Sequence, residues 1–321
     1  MRIYMQCPIC DTTKKERIIQ LRETISDWIY AEPLQQLIEL YNGKIPEDYS
    51  FSEYIDWLKQ FAERWDYRKK QANGGERWKI SNAEMEVTHG KQIMEAAKSL
   101  GMCDRTETII EPDYILPLGG ARAANHDRVQ MTKKLIDSLH LANKKIIALT
   151  GFREINEIER EYTDAYAPDA KTEFDVMNAS LEDAFALSTF YQDENLMNTN
   201  IFLQSAIREY GDTYNQCKVY SIAAPSSDLT RRANSMDTFE FFMKKFRVHE
   251  KAKILLRTSC IYVPFQLMKF MELAIKKNIQ VDCIGVDLSI GGKSTLQAVN
   301  YLQEIKGTID AIWKLKELYF A

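Results

Sequence analysis

The sequence lacks any long apolar run, and none reaches the roughly 18 residues that a bilayer span requires. The opening stretch MRIYMQCPICDTTKKERIIQ has no apolar signal core and no small-residue cleavage site, so a cytoplasmic location is expected. An excess of basic charge is also missing. Lys and Arg number 42 against 46 Asp and Glu, the formal net charge is −4 and the pI is about 5.8. Nucleic-acid binders usually carry a basic stripe or a high pI, so no nucleic-acid partner is expected. Histidine is scarce, at four residues, and no G-x-S-x-G elbow occurs, so a Ser-His-Asp or Cys-His nucleophile has no motif behind it. GxGxxG and GxxxxGKS/T are absent too, which leaves a dinucleotide fingerprint or a Walker loop unsupported. Of six cysteines only Cys7 and Cys10 are close, in CPIC. No second CxxC completes a zinc ribbon and the nearest histidine is His89, so no metal site is expected. The pair reads as structural, with a redox pair or half a zinc site as alternatives. The other four cysteines read as core thiols of a reducing compartment.

What is present is an ordinary globular composition. The 321 residues are 45% hydrophobic and 27% charged, enough for one large domain or two modest ones. The first part of the chain reads as helical. KKERIIQLRETISDWIYAEPLQQLIELY has apolar residues at three- and four-residue spacing, with Pro33 as a break, and SFSEYIDWLKQFAERW repeats the spacing. Ser50 or Ser52 suits an N-cap and Glu53 the first turn. NGG at 73–75 marks a loop, and SNAEMEVTHGKQIMEAAKSLG reads as a further helix ending at Gly101.

Near residue 113 the pattern changes. The strand candidates are YILPL (114–118), KIIAL (145–149), VYSIAA (219–224), KILLR (253–257) and VDCIGV (281–286). Helical segments lie between them, among them RVQMTKKLIDSLHLA, TEFDVMNASLEDAFALSTF, DTFEFFMKKF and PFQLMKFMELAIKKN. Apolar strands separated by helices predict βαβ units. The expected fold is α/β, a Rossmann-like, doubly wound, mostly parallel sheet with a helical N-terminal region. The expected domains are 1–112, helical, and 113–321, α/β with C-terminal helices.

In such sheets ligands bind beyond the carboxyl ends of the strands. Those ends carry Gly119, Gly120, Arg122 and Asn125, then Thr150, Gly151 and Arg153. PSSDLTRRANSMDT (225–238) follows, with Arg231, Arg232 and Asn234; then Thr258, Ser259 and Tyr262; then Asp287 and Ser289. The glycines let a ligand approach the backbone, the hydroxyls and amides offer hydrogen bonds, and the arginines suit phosphate or carboxylate. Asp127, Glu173, Asp228 and Asp237 are candidates for ribose hydroxyls, a ligand amine, Mg²⁺ or general-base work. Asp237 also sits where a helix should start, so capping competes. His126 lies in the first loop and reads as an exposed polar residue. A turn with surface ion pairs is the plain alternative for the whole set.

Taken in order, ILPLGGARAANHDR, ALTG, TEFDVM, RRANSMDTFEFF and LLRTSCIYVPFQ resemble the YdcF/SanA/ElyC-like domain family over roughly residues 113–287. Gly119 and Gly120 match its first motif, Thr150 and Gly151 its second, and Glu173 and Met177 its third. Asn234, Asp237 and Thr238 fall on its fourth motif, and Thr258 and Ser259 on its fifth. The segment REINEIEREYTDAYAPDAK is an insertion, Asp237-Thr238 replaces a usual Glu-Asn, and IYVPFQ stands where many members have a His-containing segment. The resemblance implies a Rossmann-like sheet, a link to cell-envelope polysaccharide work and S-adenosylmethionine as a cofactor. The residues themselves identify no cofactor.

The leading functional expectation is an enzyme or enzyme-like protein acting on a nucleotide-like or phosphorylated small molecule by group transfer or hydrolysis. The ligand's anionic part would lie on Gly119, Gly120, Arg122, Thr258 and Ser259. Glu173 and Asp237 would orient it or move a proton. The alternative is a noncatalytic metabolite-sensing module whose N-terminal helices contact a protein partner.

Overall fold

The computed structural model describes residues 2–68, 83–103, 105–196, 198–286 and 296–320. In chain order the elements begin with α1 (Lys14–Ile29), α2 (Glu32–Leu40), α3 (Phe51–Ala62) and α4 (Ala83–Ser99). Then come β1 (Tyr114–Pro117), α5 (Ala124–Ser138), β2 (Lys145–Thr150), α6 (Glu157–Thr163) and α7 (Glu173–Phe185). They continue with β3 (Phe190–Leu196), β4 (Ser205–Tyr214), β5 (Cys217–Ala223), α8 (Ser235–Lys245) and β6 (Lys253–Ser259). The last are α9 (Val263–Lys277), β7 (Gln280–Val286) and α10 (Ala298–Tyr319). The chain divides into two compact units, Met1–Glu107 with Cys260–Ala321, and Thr108–Ser259.

The first unit is mainly helical, and its helix starts follow from local chemistry. Thr13 and Glu16 form a capping box on α1, and Ser50 and Glu53 do the same on α3. Pro33 sits in the first turn of α2, where its missing N–H leaves no bond unmade, so it opens a helix as well as ending the one before. The three- and four-residue apolar spacing is buried as a stripe: Leu21, Ile25 and Trp28 on α1, Leu34 and Leu37 on α2, Ile55 and Leu58 on α3, and Ile305, Ile309 and Ile312 on α10. Trp28 Nε1 donates to Leu100 O at 3.2 Å, so the buried indole keeps its hydrogen bond. A buried ion pair joins Arg105 to Asp282 at 2.8 Å, and the same guanidinium donates to Met5 O at 2.7 Å. The NGG turn at 73–75 and the candidates Asp287 and Ser289 lie outside the described residues.

The second unit carries a mostly parallel sheet of six strands in the order β3-β4-β5-β2-β1-β6. β5, β2, β1 and β6 run parallel to their neighbours, so their carboxyl ends share one edge. β4 is antiparallel to both β5 and β3 and extends the sheet on one side. β3 and β4 occupy the stretch between the expected helix ending at Phe190 and the strand candidate at 219–224, where the sequence pattern predicts no element. β3 reads FYQDENL, whose polar centre hides the strand pattern from sequence.

Helices cover both faces. Ser221 hydrogen-bonds Asn178 of α7, whereas its neighbour Tyr220 packs against Phe246 just after α8, with ring centroids 5.0 Å apart. Successive strand residues point to opposite faces, so α7 and α8 lie on opposite sides. α5 packs beside α7, and Phe242 of α8 meets Tyr114 of β1 edge-on at 5.4 Å. Phe242 is fully buried. Phe242→Ala should cost about 3–5 kcal/mol of stability in urea denaturation, the usual range for emptying such a site. A loss below about 1 kcal/mol would show that α8 does not depend on this contact.

Candidate functional site

The shared carboxyl edge brings the β1 and β2 loops onto the starts of α5 and α7. β1 ends at Pro117, and Gly119 N donates to Leu149 O at 2.6 Å, which carries the pairing beyond the strand. A Cβ placed on Gly119 would overlap Glu173 Oε1, so only glycine leaves room for that carboxyl. Gly120 N donates to Asn125 Oδ1 at 2.8 Å. A Cβ on Gly120 would come within 2.8 Å of Arg128 Nη1 and 2.9 Å of Ala124 Cβ. Gly151 differs, because a Cβ there would meet nothing within 4 Å. The Gly119 and Gly120 positions are therefore filled by protein, and Gly151 opens onto space.

Arg128 on α5 ties this edge together. Its Nη1 donates to Leu118 O at 2.7 Å and Gly119 O at 2.6 Å, and its Nη2 donates to Ser259 Oγ at 3.0 Å at the end of β6. Sequence reasoning left Arg128 out of the candidate set. Helical spacing from Asn125 to Arg128 puts both on one face, and that was the available signal. Thr258 is buried on the neighbouring position, and its Oγ1 has no hydrogen-bond partner among the described residues.

Glu173 opens α7. Its Oε1 accepts from Thr150 Oγ1 at 3.3 Å and its Oε2 from Arg153 Nε at 3.0 Å. Burial pushes this carboxyl above the ordinary glutamate range, while the Arg153 and Arg128 charges pull the other way. Arg153 turns its other face to Glu159, with Nη1 to Oε2 at 2.6 Å and Nη2 to Oε1 at 2.7 Å. Glu159 also accepts from Arg122 N at 3.1 Å and from Asn156 Nδ2 at 2.9 Å. Burial opposes the charge of Glu159, but Arg153 together with the Asn156 and Arg122 N–H groups holds its pKa below the ordinary value. Arg122 adopts the left-handed region, φ +57°, as it presents that N–H. Glu159 was missed by sequence reasoning, and Arg153 was noted only as part of a strand end. The segment that looked like an insertion supplies Glu159, the anchor of this network.

The β5 loop is organised separately. Asn234 caps α8, accepting from Met236 N at 2.8 Å and Asp237 N at 3.2 Å, while Asp237 Oδ2 accepts from Asn234 N at 2.7 Å. Arg231 Nη1 donates to Asp237 Oδ2 at 2.6 Å and to Arg232 O at 2.8 Å. Ser227 N donates to Asp237 Oδ1 at 3.2 Å, and Thr238 Oγ1 donates to Asn234 O at 3.1 Å. Asp237 is thus fully engaged in starting a helix. Asp228 is held below the usual carboxylate range chiefly by the Thr230 N–H and orders the preceding turn. Asp127 is half-buried, and burial raises its pKa. His126 is fixed by Asp183 at 3.0 Å and rests on Tyr166, with ring centroids 4.7 Å apart. The described residues contain no group of three or more His, Cys, Asp or Glu arranged to hold a metal ion.

The chain is similar in sequence to a mycobacterial protein. Uncharacterized protein Rv3785 of Mycobacterium tuberculosis is 23% identical, over 97% of this chain and 94% of the relative. Uncharacterized protein Mb3814 of Mycobacterium bovis matches with the same identity and coverage. The family model that matches, described as the Rv3785 N-terminal domain, covers residues 12–101. No solved structure matches. These findings overturn the resemblance to the YdcF/SanA/ElyC-like family, together with the envelope and S-adenosylmethionine expectations that rested on it. The reason is physical. Gly-Gly, Thr-Gly and Thr-Ser at strand ends recur wherever parallel strands finish at a polar edge, so their order carries little family information. No helix among the described residues is long and apolar enough to cross a membrane.

The Asp237 geometry sets a pH dependence. Burial opposes its charge, but Arg231 and the Asn234 and Ser227 N–H groups lower its pKa from 3.8 to about 2. A carboxylate with a lowered folded-state pKa stabilises fully above the unfolded value and loses that contribution as pH falls through the folded one. The window is therefore from about 4 down to about 2. Asp237→Asn should flatten the acid limb of stability in that window, measured by circular dichroism. An unchanged limb would show that the Arg231 pairing contributes nothing.

Proposed function

We propose that the carboxyl edge of the six-stranded sheet binds a phosphorylated or nucleotide-like small molecule, with Glu173 as the group that exchanges a proton with it. The observation that carries this reading is the Glu173 carboxyl. It lies against a glycine that nothing larger can replace, with one arginine contact and an elevated pKa. A carboxyl whose pKa is raised by burial beside a specific charge partner is a candidate reactive group. The topology supports the location. Strand order runs from β1 through β2 to β5 on one side and returns to β6 on the other, so it reverses between β1 and β6. In doubly wound, Rossmann-like sheets ligands sit at such a reversal, beyond the carboxyl ends. Gly151 supplies the open backbone, and Thr150, Thr258 and Ser259 supply hydroxyls. Group transfer and hydrolysis are both compatible with one poised carboxyl.

A noncatalytic metabolite sensor is the second reading. The observation favouring it is that Asp237, the other catalytic candidate, is fully committed to capping α8. In that reading the N-terminal helices contact a protein partner, with exposed Ile19 on α1 and Val87 on α4 as apolar contacts. The six free thiols suit a cytoplasmic, reducing setting.

A thermal-shift screen against nucleotides, nucleotide sugars and phosphorylated metabolites tests the first reading. Gly119→Ala should displace Glu173 and weaken any hit about tenfold or more, a difference of about 1.4 kcal/mol. Glu173→Gln should keep binding but abolish turnover. If both variants bind and turn over like the wild type, the reading fails. If the wild type binds without turnover, the sensor reading replaces it.

A further inference from the structure

Glu159 is an unusual occupant of the site. It is 2% exposed, yet the helix that carries it is only seven residues long. Two of its partners, Asn156 N and Nδ2, belong to its own segment. The others do not move with it. Arg122 N comes from the β1 loop. Arg153 is pinned outside the segment, because its carbonyl accepts from Glu173 N at 2.8 Å and the Glu154–Thr172 bridge closes the base immediately after it. Without Glu159, a bidentate guanidinium and a backbone N–H would converge on one point of the carboxyl edge. That is the donor set a phosphate group takes.

The anchoring of the segment is uneven. Its apolar contacts are few: Ala167 and Ala170 against Val176, with Ile155 and Ala179 at the margin and Tyr166 on the His126 ring. The buried apolar side chains of residues 155–171 are Ala167 and Ala170, which bury little area, and Ile155 and Tyr166 add the larger half-buried contacts. The strong link is the Glu159–Arg153 ion pair. Removing one partner of a buried pair is costly unless another anion takes its place.

We propose that Glu159 is an internal stand-in for a ligand phosphate. Arg153 and the Arg122 N–H form an anion cradle that Glu159 fills at rest and that a phosphate group occupies when residues 155–171 lift away. The inference rests on the carboxyl-edge reading above for the identity of the ligand, and the cradle itself is tested without that ligand. Glu159→Gln keeps the shape and removes the resident charge. In the full chain this variant should bind inorganic phosphate at least tenfold more tightly than the wild type, measured by calorimetry. Adding Arg153→Ala should abolish the gain.

A folded Glu159→Gln variant with unchanged phosphate affinity overturns the proposal, as does a gain that survives Arg153→Ala. If Glu159→Gln does not fold, the wild type still decides. Millimolar phosphate should then speed amide exchange in residues 155–171 at least twofold and leave β1, β2 and β5 unchanged. No change in exchange overturns the proposal. A failed nucleotide screen with the phosphate gain intact would refute the ligand class and leave the cradle standing.

Discussion

The structure of the second unit depends on the parallel pairing of β5, β2, β1 and β6. Parallel neighbours cannot be joined by a tight turn, so each connection must cross a face of the sheet and return. Every loop that leaves one of these four strands at its carboxyl end therefore begins at the same edge. Gly119, Gly151, Ala224 and Ser259 are brought to one rim by that rule before any side chain is considered. The side chains then divide the rim. Arg128 donates to the Leu118 and Gly119 carbonyls just after β1 and to Ser259, so it holds the rim together. Arg153 faces two carboxylates and sets the charge balance between them.

That division explains why two acidic residues with similar sequence settings behave in opposite ways. Asp237 and Glu173 both lie in the first turn of a helix after a parallel strand. Asp237 accepts from Asn234 N, Ser227 N and Arg231, so its charge is satisfied and its pKa falls. Glu173 receives fewer donors, Thr150 Oγ1 and the Nε of Arg153, so desolvation outweighs them and its pKa rises. The bidentate face of that arginine is already given to Glu159. A loop outside the sheet thereby influences a carboxyl at its edge.

Much of the fold was legible in the sequence. KIIAL, VYSIAA and KILLR are continuous apolar runs, as strands buried on both faces must be, and Ser50 with Glu53 announced a helix start. β3 and β4 were not legible. An edge strand such as FYQDENL needs little apolar patterning, and its pairing is a tertiary event. The strand-end residues of the candidate site were legible individually, but the hydrogen-bond network among them was not. Gly119, Thr150 and Glu173 come together as the topology requires. Arg128 carried only the weak signal of its helical spacing from Asn125, because a buried arginine inside a helix reads as a solvated one. Glu159 was invisible because its partner Arg153 is six residues away across a turn, a separation with no periodic signature.

The most direct test of this account is a carbon-13 NMR titration of the Glu173 carboxyl, assigned by its loss in Glu173→Gln. The Glu173 midpoint should lie above the ordinary 4.5 and rise further in Arg153→Gln, where the opposing charge is gone. A midpoint at or below 4.5, or one that Arg153→Gln leaves in place, would contradict it.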